Sequence, residues 1–264
     1  MSNMNTSTIL TGLRDIEHKH DCRVLHACEA GSRAWGFPSP DSDYDVRFIY
    51  VHRREWYLRL NESRDTLQWF APGNLDYSGW ELRKALRLFR SCNLSLNEHL
   101  QSPIIYEKND EFSSRLRLLI PEYFNPKKAV FHYRGIAAQF IEPIEHCEQI
   151  GIKKLFYILR PLLACQWVIE FQSMPPTEFQ RLISENDKEL PPAMVKAIHS
   201  LLQQKESADE KQLIEVLPLL ANWILDTYAN AERLAQSLPT APPNDWEPLN
   251  RLFLDFVVWQ SNGH

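Results

Sequence analysis

The chain has 264 residues, of which 44% are hydrophobic and 24% charged, the composition of a folded globular protein long enough for two packed units. It carries 29 basic against 34 acidic residues, a net charge of −5, whereas a protein that coats long nucleic acid carries a basic excess. No apolar run reaches the roughly 20 residues of a membrane helix, and the first residues lack a secretion signal. We therefore expect a cytoplasmic protein without a membrane segment.

The first 120 residues alternate strand and helix patterns. Amphipathic spacing predicts a helix over 7–19, and a second helix pattern starts at Gly79. Strand patterns, rich in β-branched and aromatic residues, fall at 24–28, 43–51, 66–70 and 75–77. These elements predict an α/β domain over residues 1–120.

From residue 121 onward the pattern is helical. Pro143 and Pro161 fall inside two helix patterns, where proline is expected to kink or split a helix. The helical stretches, separated by proline-rich or polar breaks, fall at 126–149, 153–172, 192–205, 210–237 and 246–260. We therefore expect an all-helical domain over residues 121–264.

Two carboxylates stand one residue apart at the start of the predicted strand 43–51. Side chains two apart on a strand point to one face, so Asp43 and Asp45 should converge, and a hard cation such as Mg²⁺ would relieve their repulsion. Gly31 and Ser32 end the preceding strand at a tight loop, whose backbone N–H groups can cradle phosphate oxygens. The combination predicts a metal-assisted phosphoryl- or nucleotidyl-transfer site, and the alternative is a capped, solvated strand end.

Three blocks of the chain carry a family resemblance: GSRAWGFPSPDSDYDVRFIY, LDYSGWELRKAL and KKLFYILRPLLACQW. The Gly-Ser loop, followed after about ten residues by Asp-x-Asp, resembles the signature of the DNA polymerase beta superfamily of nucleotidyltransferases. Together the blocks look like its bacterial and phage branch assigned to an RNA-repair pathway, over roughly residues 25 to 170. The resemblance implies an α/β (α+β) polymerase-beta-type nucleotidyltransferase domain followed by a C-terminal all-helical domain.

The same resemblance implies a three-carboxylate metal site, completed from a later strand. Asp76 is the best candidate for the third carboxylate. Glu81 is the second candidate. It ranks below Asp76 because it would lie one turn into the predicted helix and face solvent. In these roles Asp43 and Asp45 hold two Mg²⁺ ions that bridge the triphosphate, and Asp76 helps bind the ion that activates the attacking hydroxyl.

Further residues are candidates for binding the nucleotide. The resemblance implies that the Gly31 amide and Ser32 hold the β- and γ-phosphates. Arg47 lies two residues beyond Asp45, where it would balance charge or meet phosphate, and a basic-aromatic helix face from residue 153 would close over the nucleotide or simply pack. The full candidate set is Gly31, Ser32, Arg33, Arg47, Lys84, Lys153, Tyr157 and Arg160.

The resemblance implies an enzyme that transfers NMP from an NTP such as ATP to an acceptor hydroxyl and releases pyrophosphate. An RNA end is the acceptor that the family suggests, and the net charge of −5 favours a short or structured RNA such as a tRNA end. A hydroxyl of a protein or a small molecule is an open alternative, and so is a nucleotide-binding module without catalysis. The residues carry no signal for the base or for an oligomeric state.

Overall fold

The computed structural model describes residues 3–40, 42–61, 63–146, 148–186, 190–207, 212–239 and 245–257. It is a mixed α/β structure that divides into two compact units. The first unit comprises the described residues of 1–31, 43–123 and 243–264, and the second those of 32–42 and 124–242. No helix in the described ranges is long and apolar enough to cross a membrane.

The first unit is built on a five-stranded sheet with the strand order β3-β4-β2-β1-β5, in which only β2 and β4 pair in parallel. The strands are β1 (Cys22–Glu29), β2 (Tyr44–His52), β3 (Thr66–Ala71), β4 (Leu75–Glu81) and β5 (Ile105–Lys108). The helices of this unit are α1 (Asn3–His20), α3 (Arg54–Tyr57), α4 (Leu82–Arg90), α5 (Leu94–Leu100), α6 (Asp110–Leu118), α7 (Ile120–Tyr123) and α14 (Glu247–Val257), and α2 (Gly31–Trp35) lies at the boundary, with residues 32–35 in the second unit.

Alternation along the two parallel strands places one set of apolar side chains against α1 and leaves Asp45, Arg47 and Asp76 on the other side. Val46 and Phe48 on β2, with Leu75 and Tyr77 on β4, join the apolar side chains of α1 in one buried cluster. The side chains between them on each strand point to the opposite face. Burying the apolar face against α1 therefore fixes which β2 and β4 residues are available for chemistry.

Strand β4 is longer than predicted, and the helix after it starts later. Gly79 and Trp80 belong to β4, and α4 begins only at Leu82. A Cβ on Gly79 would lie 2.2 Å from the ring of Phe48, its register partner on β2, so this strand position admits no side chain. The sequence pattern had indicated a helix because Trp80 and Leu82 also fit helical spacing.

The second unit is mainly helical, but it also contains a short antiparallel ladder that the sequence pattern missed. The ladder pairs β6 (Ile150–Gly151) with β7 (Leu213–Ile214). Pro161 does not split its helix, whereas the other predicted stretch with an internal proline divides into α8 and α9. The helices are α8 (Pro126–Ala138), α9 (Glu142–Glu145), α10 (Ile152–Phe171), α11 (Phe179–Glu185), α12 (Pro192–Ser207) and α13 (Pro218–Gln236).

The division of the chain differs from the predicted boundary at residue 120 in two places. The last helix, α14, packs on the first unit, where Phe253 meets Tyr57 and Phe256 meets Phe112. The segment 32–42 belongs to the second unit, because Phe37 is buried against aromatic rings of α10 and α11. The predicted helix ends at 210–211 and 258–260 lie outside the described residues.

Candidate active site

Asp45 and Asp76 are register partners across the parallel strands β2 and β4. Both lie near the amino ends of their strands, on the face opposite the apolar cluster. Two carboxylates that approach each other repel, so this arrangement needs a positive charge between them. The strand register thus brings together two of the three predicted metal ligands, although they are 31 positions apart in the chain.

Arg47 supplies the positive charge in the structure. Its Nη2 donates to Asp45 Oδ1 at 2.7 Å and to Asp76 Oδ2 at 2.8 Å, so these two oxygens are no farther apart than the sum of the two distances. Its Nη1 donates to the carbonyl oxygen of Asp76 at 2.9 Å. The predicted charge-balancing position of Arg47 agrees with this geometry.

The pair retains a free oxygen that is suited to a metal. Asp76 Oδ1 is buried and has no hydrogen-bond partner among the described residues. A buried carboxylate oxygen without a partner is costly, and a bound cation would satisfy it. The donor set consists of hard carboxylate oxygens, the ligands that Mg²⁺ prefers. Asp45 and Asp76 therefore fit a magnesium site.

The backbone around Asp45 is held by residues at the end of β1. The buried Glu29 accepts a hydrogen bond from Asp45 N–H at 2.7 Å, and the Ala30 N–H donates to the Asp45 carbonyl at 2.9 Å. A hydroxyl hydrogen bond from Tyr106 orients the second Glu29 oxygen. Sequence reasoning missed Glu29, because an acid at the end of an apolar strand has no local signature.

Gly31 lies directly beside the Asp45 carboxylate. Its φ is +60°, and a Cβ built on it would lie 2.2 Å from Asp45 Oδ2. Any side chain would collide with the carboxylate and would also strain the backbone. The requirement for glycine after β1 therefore comes from the neighbouring Asp45 as well as from the turn.

Asp43 is not gathered with the other two aspartates. It lies one residue before β2 and is exposed, because strand pairing begins at Tyr44, whose N–H donates to the Asn74 carbonyl at 2.8 Å. Within the described ranges, no group of three His, Cys, Asp or Glu side chains could hold a metal ion. The structure thus brings together two members of the expected triad, and the role of Asp43 as the third remains a prediction.

Glu81, the second candidate for the third carboxylate, has another role. It is the last residue of β4 and the N-cap of α4, where it accepts from the N–H groups of Arg83 and Lys84 and from the Tyr57 hydroxyl at 2.5 Å. Burial raises the pKa of its carboxyl above the usual range. It lies five residues beyond Asp76 and points to the other face, so it is neither solvent-facing, as predicted, nor part of the aspartate pair.

Lys84 lies far from the aspartate pair. Its Nζ donates to Asp65 Oδ1 at 2.8 Å and to Thr66 Oγ1 at 2.7 Å. These contacts are at the carboxyl end of β4, whereas Asp76 is near its amino end. A contact of Lys84 with a nucleotide held at the aspartates does not agree with this placement, because Lys84 lies beyond the opposite end of β4.

In the second unit, Ser32 and Arg33 bind Ser42 across their own loop. Ser32 Oγ donates to Ser42 Oγ at 3.1 Å, and Arg33 Nη2 donates to the Ser42 carbonyl at 2.8 Å. The buried Lys205 donates to Ser39 Oγ of the same loop at 2.6 Å. The loop that carries Ser32 is therefore fixed by polar contacts at several points.

The predicted basic-aromatic face of α10 is packed in part. The Arg160 guanidinium is buried and lies 4.4 Å from the centre of the Trp35 ring, and Tyr157 meets the same ring edge-on at 5.2 Å. Lys153 is half-buried. The buried position of Arg160 corrects the expectation that it meets phosphate, because its charge is instead desolvated against Trp35.

Comparison with known proteins agrees with this geometry. Residues 6–255 match the model of the RlaP family, described as the RNA repair pathway DNA polymerase beta family. The chain is 38% identical over 257 residues to the uncharacterized protein YcgL of Bacillus subtilis (strain 168), a match that covers 97% of this chain and 98% of that protein. The chain therefore belongs to the RlaP family, which confirms the resemblance seen in the three sequence blocks.

Proposed function

We propose that this protein is a magnesium-dependent nucleotidyltransferase that transfers NMP from an NTP to the hydroxyl of an RNA end and releases pyrophosphate. The observation that supports it most is the facing pair Asp45 and Asp76, with a buried carboxylate oxygen left without a partner. Membership of a polymerase beta family associated with RNA repair supports both the reaction class and the acceptor.

Each residue around the pair has a distinct task in this proposal. Asp45 and Asp76 hold the magnesium ions, which when bound neutralise charge on the triphosphate and lower the pKa of the attacking hydroxyl. Until a metal binds, Arg47 neutralises part of the repulsion between the two carboxylates. Once the metal replaces it there, its guanidinium would bind phosphate. Glu29 holds the backbone of Asp45, and Gly31 leaves the space its carboxylate occupies.

Asp43 is the proposed third carboxylate, supplied from just outside β2. It is exposed and precedes the strand, so a small change in its backbone moves its carboxylate without breaking any ladder hydrogen bond. Gly31, Ser32 and Arg33 are the proposed phosphate contacts, and Lys153 and Tyr157 remain proposed nucleotide contacts. We assign neither Lys84 nor Arg160 to the nucleotide, because of the contacts described above.

Label transfer tests this function directly. The protein is incubated with Mg²⁺, total cellular RNA and each of the four α-³²P nucleotides in turn, and label is followed into RNA, protein and small molecules. Wild type should label RNA, and Asp45→Asn with Asp76→Asn should abolish the labelling. Asp110→Asn, which removes an exposed ion pair with Lys108, is the matched control and should keep it.

The destination of the label decides between the alternatives. Label on protein or on a small molecule would retain the chemistry and overturn RNA as acceptor. Binding of the nucleotide with no transfer to any acceptor would instead indicate a nucleotide-binding module, consistent with a carboxylate pair that lacks its third member.

A further inference from the structure

A basic surface lies on the first unit at the carboxyl ends of β2 and β4. It consists of two adjoining hollows of about 270 and 680 Å³ that share Trp56 and Arg59. We call this surface the basic groove; the residues that define it are Trp56, Arg59, Arg64, Arg83, Lys84 and Arg87. The lining of the two hollows holds seven Lys and Arg side chains against four acids, Asp21, Glu55, Asp65 and Glu81, in a chain whose net charge is −5.

Three arginines of the basic groove are not neutralised by an ion pair within the described part of the chain. Arg59, Arg64 and Arg87 are exposed, and none has an ion-pair partner among the residues that the structure describes. Nearby, burial lowers the pKa of His20, and the charges of Lys19 and Arg64 lower it further. The exposed arginines without an ion-pair partner give this surface a positive charge, which attracts polyanions.

Aromatic rings lie among these charges. Trp56 is half-buried and stacks on His52 with ring centres 4.4 Å apart. Arg83 lies over the ring of Tyr57 at 5.0 Å, which fixes its guanidinium in the groove. Cations that meet phosphates beside rings on which bases can stack are the combination that binds single-stranded nucleic acid. An acidic peptide would use the charges but not the rings.

The basic groove is separated from the aspartate pair along the sheet. Asp45 is near the amino end of β2, and the groove begins where β2 ends, at His52. Seven residues of strand span roughly 23 Å at about 3.3 Å per residue. The groove also lies on the α1 side of the sheet, with Lys19, His20 and Leu67 in its lining, whereas the aspartates point to the opposite side. A single NTP is too short to reach both places, and only a polymer of several nucleotides that passes around the sheet could do so.

We propose that the basic groove binds the phosphodiester backbone of the acceptor RNA. The inference rests on the proposed function for the identity of the acceptor, but the binding itself needs neither nucleotide nor metal. The proposal also assigns a function to Lys84, whose charge would contribute to binding the acceptor RNA rather than the NTP. A localised groove is compatible with the negative net charge, because only a short stretch of RNA is held.

RNA binding without NTP or Mg²⁺ tests the groove separately from catalysis. A fluorescent 20-nucleotide single strand is titrated in EDTA at several salt concentrations, followed by anisotropy. The variant Arg59→Ala/Arg64→Ala/Arg87→Ala should bind at least tenfold more weakly, and its slope of log affinity against log salt should fall by about 2, since each lost phosphate contact removes about 0.7. The matched control Arg181→Ala/Lys196→Ala/Arg251→Ala removes three exposed cations elsewhere and should bind within twofold of wild type.

Each other result overturns the groove as an RNA site. Equal weakening in the two triple variants, or an unchanged salt slope, would show that only net charge matters. Competition by polyglutamate as effective as that by unlabelled RNA would indicate an acidic protein as the partner. Failure of wild type to bind RNA, with Mg²⁺-dependent pyrophosphate release that still requires Asp45 and Asp76, would reject the groove and leave the transferase standing.

Discussion

Asp45 and Asp76 face each other across the one parallel strand pair of the five-stranded sheet, and a single nitrogen of Arg47 bonds to both carboxylates. The register of two strands therefore creates a charged centre from residues distant in sequence. The guanidinium neutralises part of the repulsion that the fold imposes, so the pair is stable in the absence of a metal.

Replacing Arg47 should make stability depend on magnesium. In Arg47→Met the two carboxylates lose their counter-charge, and we expect the free energy of unfolding in EDTA to fall by about 1–2 kcal/mol. Mg²⁺ should raise the melting temperature of this variant more than that of wild type, because the ion binds without displacing a guanidinium. Thermal unfolding with and without Mg²⁺ measures the difference.

Arg53→Met is the matched control for this measurement. Arg53 also pairs with an aspartate, Asp21 at 2.8 Å, but that pair is exposed and remote from the centre. Its melting temperature should respond to Mg²⁺ as wild type does. An equal magnesium response in the Arg47 and Arg53 variants would contradict a metal site at Asp45 and Asp76.

Gly31→Ala should damage the centre by direct contact. The new Cβ would lie 2.2 Å from Asp45 Oδ2 in a residue with φ of +60°. We expect a loss of about 2–4 kcal/mol in the free energy of unfolding, measured with denaturant, from backbone strain and the displaced carboxylate together.

Gly73→Ala separates the two causes. Gly73 has φ of +86° in the β3–β4 turn, and no atom lies within 4 Å of its would-be Cβ. This variant should show only the backbone cost of about 1 kcal/mol and should retain NMP transfer. Equal losses in both alanine variants would mean that the contact with Asp45 contributes nothing.

Stability should fall in mild acid because of the buried His26 and the half-buried His99. Burial lowers the pKa of His26 to about 4 and that of His99 to about 3. Both stay neutral in the folded state, while the unfolded chain binds protons below about pH 6.5. Their contribution is therefore complete above pH 6.5 and is lost as the pH falls toward 4, with a slope approaching 1.4 kcal/mol per pH unit for each histidine.

Urea unfolding at several pH values measures this slope. His26→Gln removes one titrating group and should reduce the slope between pH 6 and 4.5 by about one proton. His18→Gln removes an exposed histidine and serves as the matched control. A slope that is the same in wild type and in His26→Gln would show that His26 does not titrate on unfolding.

The sequence predicted the parts of this centre that depend on local pattern. The Asp-x-Asp stretch at a strand start and the glycine after β1 follow from alternation and turn chemistry. The acid on β4 was implied by the family resemblance, and the structure places Asp45 and Asp76 together. The pattern did not predict the exposed position of Asp43, because strand pairing of β2 begins one residue after it.

The sequence pattern cannot predict contacts between segments that are distant in the chain. Glu29 is buried beside Asp45 only because β1 and β2 are neighbours in the sheet, and no spacing rule reveals that hydrogen bond. Helix α14 packs on the first unit through Phe253 and Phe256. Its amphipathic sequence pattern does not indicate which unit its apolar face contacts. Arg160 looked like a phosphate ligand because its burial against Trp35 depends on tertiary packing.

The most direct test of the central claim is the rate of NMP transfer in Asp45→Asn, Asp76→Asn and the double variant, at saturating Mg²⁺. If the two carboxylates act as one metal-binding unit, each single variant should lose at least about 100-fold, and the double variant little more, because groups that work together are not additive. Transfer at the wild-type rate in either single variant would contradict the assignment of this pair as the catalytic centre.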